Sequence, residues 1–242
     1  MTGIHYTAGK QVETVDTNGQ PKICPSVQNY PTRVEFAMGG LLNNQLVICG
    51  GATKGNYTSV TNNCQRLSSS GQWSSFGGGM KVARYFGSSA TVVIQGEDFL
   101  WITGGLDSSE HSLKSTELVS SSGSVTSGTN MPKNRIGHCM IVINNHAMVI
   151  GGTPASVGRE VLIFARAGRN DFSHEDGPSL VKSRWHHTCS TMVSPAHGGR
   201  TVAVVAGGYG DGPDTAEILD YTISGSTWQL SKYHIFHCQK LY

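Results

Sequence analysis

Charge is scarce in this chain: of its 242 residues only 14% are Asp, Glu, Lys or Arg, where about 25% is usual in globular proteins. The 18 basic and 16 acidic residues leave a formal net charge of +2 and form no basic cluster. Neither nucleic acid nor an anionic membrane surface is therefore expected as a partner. No run approaches the roughly eighteen consecutive apolar residues of a membrane span, and no stretch carries helical periodicity of useful length. The Cys-x-x-Cys pairs of structural zinc sites are missing. So are a Gly-x-Ser-x-Gly nucleophile elbow and a phosphate loop ending in Gly-Lys-Ser/Thr. What is abundant is glycine, with 31 residues. In a charge-poor chain that is 38% hydrophobic, this points to short strands joined by tight turns.

The glycines are periodic. Four strand-like runs end in a glycine pair, at Gly50-Gly51, Gly104-Gly105, Gly151-Gly152 and Gly207-Gly208. A second landmark has the same period of about fifty residues: Arg33, Arg84, Arg135 and Arg184, with His234 one further step on. Three residues beyond these lie Phe36, Gly87, His138, His187 and His237. About twenty residues after each glycine pair stand Trp73, Val125, Phe172 and Trp228. Each unit reads as four strands. An inner run turns at Asn43-Asn44, Gly96-Glu97, Asn144-Asn145 or Gly198-Gly199, residues suited to tight hairpins. The next run ends in the glycine pair, a third carries Glu13, Glu117, Glu160 or Glu217, and the fourth begins near the aromatic.

These glycine pairs, the glutamate of the third run and Trp73, Phe172 and Trp228 resemble kelch repeats. The resemblance covers nearly the whole chain and implies an all-β propeller of four-stranded antiparallel blades. Val125, where an aromatic is expected, is its one departure. The full units are 33–83, 84–134, 135–183 and 184–233, and 1–32 plus 234–242 supply a split or incomplete fifth. Two readings stay open: a five-unit ring with a three-stranded closing blade, or a piece of a larger propeller, six or more blades being what the family implies.

The six cysteines are Cys24, Cys49, Cys64, Cys139, Cys189 and Cys238. Cys49 ends a second strand and Cys64 opens the third of the same unit, so a disulfide between them is expected. Cys139, Cys189 and Cys238 fall on successive inner strands, which are expected to diverge and leave them as buried thiols. Asn56-Tyr57-Thr58 is a glycosylation acceptor sequence on an expected surface loop. Bridge and sequon together favour a secreted or extracellular protein, with a cytoplasmic one as the alternative.

The functional expectation is a non-catalytic module that binds a protein or peptide at the propeller rim. Arg33, Arg84, Arg135 and Arg184 would ring that rim and favour an acidic ligand through bidentate pairing. Trp185, His186 and Tyr85 beside them, with His187, would add contact surface. The competing expectation is that each arginine braces its own interblade loop. No cofactor or metal is expected. The alternatives are a copper oxidase similar to galactose oxidase, with His138, His187 and His237 around the metal, and a purely structural extracellular repeat glycosylated at Asn56.

Overall fold

A computed structural model describes residues 14–15, 20–22, 27–53, 57, 59–167, 171–221 and 225–230. Its frame is four antiparallel four-stranded sheets set radially as the blades of a β-propeller. Blade I comprises Met38–Leu42, Gln45–Cys49, Cys64–Leu67 and Trp73–Ser75. Blade II comprises Ser88–Ile94, Glu97–Thr103, Thr116–Ser120 and Val125–Ser127. Blade III comprises Cys139–Ile143, His146–Ile150, Val161–Arg166 and Phe172–Asp176. Blade IV comprises Thr188–Ser194, Arg200–Ala206, Ala216–Leu219 and Gln229–Leu230. Of a fifth blade the described residues show only a short ladder, Thr14–Val15 with Pro21–Lys22.

Local chemistry explains the hairpins. Asn43-Asn44 and Asn144-Asn145 take positive φ at both central positions, the turn whose twist matches paired strands. In blade II the turn is Gln95-Gly96, with Glu97 already paired to Ile94. This shifts the expected Gly96-Glu97 turn by one residue. The blade IV hairpin is longer, a 3-10 turn Pro195–His197 followed by left-handed Gly198 and Gly199.

The glycine pairs are junctions between blades. Each has positive φ at both residues. Gly51, Gly105 and Gly152 donate their amides to the carbonyls of Arg84, Arg135 and Arg184 in the following blade, at 2.8–3.0 Å. A Cβ on Gly104 would lie 2.5 Å from the Arg135 carbonyl, so only glycine allows this backbone approach.

Three apolar cores fill the gaps between successive blades. Met38, Leu42, Val47 and Cys49 of blade I meet Leu100, Ile102 and Val119 of blade II. Trp101 and Phe172 stack between blades II and III at 4.2 Å, and Trp228 joins the core between III and IV while donating to the Pro178 carbonyl. Each buried side chain of this size contributes about 1.5–3 kcal/mol. Val125 also packs against the core between blades I and II, so the missing aromatic leaves a smaller contact at the same place.

Cys49 and Cys64 face each other in register and form a disulfide. A second disulfide joins Cys139 to Cys189 across the inner strands of blades III and IV, with Cα atoms 6.0 Å apart. This corrects the expectation of buried thiols. Near the axis the inner strands converge: Ser89 and Thr91 of blade II reach the Gly39 and Leu41 carbonyls of blade I at 2.9 and 2.7 Å. Cys24 and Cys238 lie outside the described residues.

Candidate functional site

The expected cationic rim is not at the surface. Arg84, Arg135 and Arg184 are wholly buried, each forming a clasp inside its own blade. Arg84 donates to the carbonyls of Gly104 and Ser115 and to the Glu117 carboxylate at 2.7 Å. Arg184 repeats the pattern on Gly207, Thr215 and Glu217. Glu117 and Glu217 also accept the paired amides of Lys81–Val82 and Val181–Lys182 in the linkers entering each blade. Arg135 pairs with Glu160, which Lys133 also contacts at 2.7 Å. Burial pushes the Arg84 and Arg135 guanidiniums down, and their glutamate partners oppose it. With every guanidinium edge turned inward, these three side chains brace the fold and are closed to a ligand.

Blade I departs from the pattern. The bridges Glu35 to Ala52, Tyr85 to Leu106 and Ile136 to Thr153, with the Trp185–Tyr209 pair, align Val34 with the three buried arginines. Arg33 stands one residue off that register, partly exposed and 2.5 Å from Glu35. The strand pairings align Gln65 with Glu117 and Glu217, so blade I lacks both halves of the clasp. Glu160 precedes its strand, and Leu162 takes the glutamate position in blade III.

His187, expected on the rim, is also interior, as is His138. His138 Nε2 lies 2.8 Å from Thr103 Oγ1. Burial, and then the neighbouring Arg135, hold His138 well below the usual imidazole range. Burial and then Arg184 bring His187 down to about 3. Among the described residues no three His, Cys, Asp or Glu side chains cluster as metal ligands. His237 and Asn56 lie outside the described residues.

What the propeller does present at the mouth of its axis is aromatic. Phe36, Phe86, Gly137 and His186 occupy one equivalent position in the four blades, all left-handed with φ between 52° and 58°. The first three turn their carbonyls to the next blade: Phe86 donates to Phe36, Gly137 to Phe86 and His186 to Gly137, at 3.2, 2.9 and 2.6 Å. The left-handed backbone costs about 1–2 kcal/mol per non-glycine residue, offset by these bonds around the axis.

Their rings form a band across the mouth. Phe36 and Phe86 stack at 3.7 Å, and His186 meets Phe86 edge-on at 4.7 Å. His186 also covers Gly137, where a Cβ would sit 3.0 Å from the imidazole. Tyr57 and Tyr85 lie parallel at 5.7 Å on one side. Tyr209 extends the band on the other, 6.2 Å from His186 and 6.3 Å from Trp185, and is 66% exposed. Of the residues expected as contact surface, Trp185 and His186 belong to this band, and Tyr85 lies buried beneath it. Phe36, Phe86, Tyr57 and Tyr209 are its additions.

Beside the band runs the loop 107–112. Asp107 accepts the amides of Ser109 and His111 at 2.8 and 3.0 Å. The His111 amide in particular holds the Asp107 carboxyl below its ordinary range. Glu110, left-handed at φ 60°, is exposed. Stacked ring faces next to carboxylates suit aromatic stacking and the attraction of cations. The sequence matches neither a protein-family model nor a curated protein.

Proposed function

We propose that this chain is a non-catalytic recognition module of kelch type that binds a protein or peptide segment across the mouth of the propeller. The observation that carries this reading is the band of Phe36, Phe86, His186 and Tyr209, a ring surface drawn from three blades and open to solvent at Tyr209. Aromatic anchors of this kind dominate protein interfaces, and a scaffold of packed blades holds them without ordering cost at binding. Kelch character is supported by the glycine-pair junctions and by the glutamates that clasp the linkers. Two disulfides favour an oxidising compartment, and we place the protein outside the cell, with Asn56 as a glycan site. The acidic ligand expected from a cationic rim loses its support once three of the guanidiniums are internal and Arg33 is paired with Glu35.

Selection of a displayed random-peptide library on the purified chain tests this. Enriched peptides are expected to bind the wild type and a Val93→Thr variant alike, since Val93 is an exposed residue at the opposite end of an inner strand. They are expected to lose about tenfold or more in affinity on a His186→Ala/Tyr209→Ala double variant. Binding indifferent to the mouth variant, or no enrichment, overturns the reading.

A further inference from the structure

We infer that the segment taken at the mouth is cationic, carrying guanidinium or ammonium side chains that lie on the aromatic band next to the Asp107–Glu110 loop. This rests on the proposed binding at the mouth and specifies the chemistry of its partner.

Three observations combine. First, the four repeat arginines are withdrawn or neutralised: Arg84, Arg135 and Arg184 are buried in their clasps, and Arg33 is paired with Glu35. Second, the ring faces are arranged as a cation would need them. The partly exposed rings of Tyr57 and Phe86 lie 6.2 Å apart, backed by the buried ring of Tyr85. A cation within about 6 Å of such faces is held by their quadrupoles. Third, negative charge lies beside these rings. The Tyr85 hydroxyl is held above its ordinary range first by burial and next by the Glu110 charge, with Asp107 contributing. Glu110 is exposed and forms no ion pair among the described residues, so its charge is available to a partner. Acidic loop and π faces together reject an acidic peptide and select a basic one, the complementarity that sets partner choice at interfaces.

The test uses a fluorescein-labelled peptide of three arginines spaced by glycine, and a matched peptide with citrulline at the same positions, which keeps the shape, removes the charge and replaces one NH2 donor group by a carbonyl acceptor. Fluorescence anisotropy with the full chain is expected to show the citrulline peptide binding about tenfold more weakly. Glu110→Gln, an isosteric change on an exposed loop, is expected to weaken the arginine peptide about threefold and leave the citrulline peptide unchanged. Equal binding of the two peptides, both lost on the His186→Ala/Tyr209→Ala variant, overturns the inference and leaves the mouth as the binding surface. Arginine-peptide binding untouched by the mouth variant places the cation elsewhere and also overturns it. Library-selected peptides that bind the mouth while neither probe does would have the same consequence.

Discussion

The Arg184–Glu217 clasp offers the sharpest test of how the blades are held. Both side chains are fully buried and 2.8 Å apart, and Glu217 is also the acceptor for the Val181 and Lys182 amides at 2.6 and 3.1 Å. Glu217→Ala strands a buried guanidinium, a change that costs about 3–5 kcal/mol. It also orphans two linker amides, each worth about 1–3 kcal/mol if no water reaches it. These terms overlap, so a loss of about 5 kcal/mol is the working figure. At about 2–4 °C per kcal/mol for a chain of this size, the melting temperature falls by about 10–20 °C. The double variant Arg184→Met/Glu217→Leu removes both charges but keeps the orphaned amides, and should lose about half as much. Urea unfolding followed by tryptophan fluorescence, without reductant, measures all three proteins. A Glu217→Ala cost below about 1 kcal/mol, the size typical of a surface ion pair, would refute the argument. So would a double variant that is worse than the single.

The buried histidines predict acid sensitivity above the range where carboxylates titrate. His138 and His187 stay neutral when folded, while the unfolded chain takes up protons below about pH 6.5. Their contribution is complete above that pH and is lost as pH falls, for His187 down to about 3, by about 1.4 kcal/mol per unit for each. Between pH 6.5 and 5 the wild type should lose about 3 kcal/mol, and a His138→Gln/His187→Gln variant should be nearly flat; equal slopes would sink the idea. The interblade disulfide closes a loop spanning a sequence separation of 50, which on loop entropy contributes about 4 kcal/mol. Cys139→Ser/Cys189→Ser should therefore lower stability by more than Cys49→Ser/Cys64→Ser, whose separation is 15, and a reversed order measured by urea unfolding would argue against it.

How much of this could be read from the chain depends on whether the information is local. The glycine pairs were legible because two consecutive positive-φ residues packed against neighbouring carbonyls leave no room for a Cβ and demand glycine. The Asn-Asn hairpins were legible because asparagine tolerates the left-handed backbone of a tight hairpin. The clasp was written in the sequence but needed pairing at a distance: Arg84 precedes Glu117, and Arg184 precedes Glu217, by the same 33 residues. Blade I has lost both partners together, to Val34 and Gln65. An arginine opening a strand looks exposed until its partner is found. The Cys139–Cys189 bridge spans one repeat and requires knowing that inner strands converge near the axis.

The aromatic band was the least legible part because its repeating position, Phe36, Phe86, Gly137 and His186, keeps the period but not the residue type. Tyr57, Glu110 and Tyr209 come from the loops that join second to third strands, whose sequences and lengths differ from blade to blade. This division has a physical cause. A residue that recurs in every blade meets the same neighbours in every blade, so repetition selects for internal bracing, as with the arginines and the glycine pairs. A ligand that crosses the mouth meets each blade once and from a different side. Recognition is then carried by positions whose residue type differs from blade to blade, and in this chain those are the aromatic and acidic residues around the mouth.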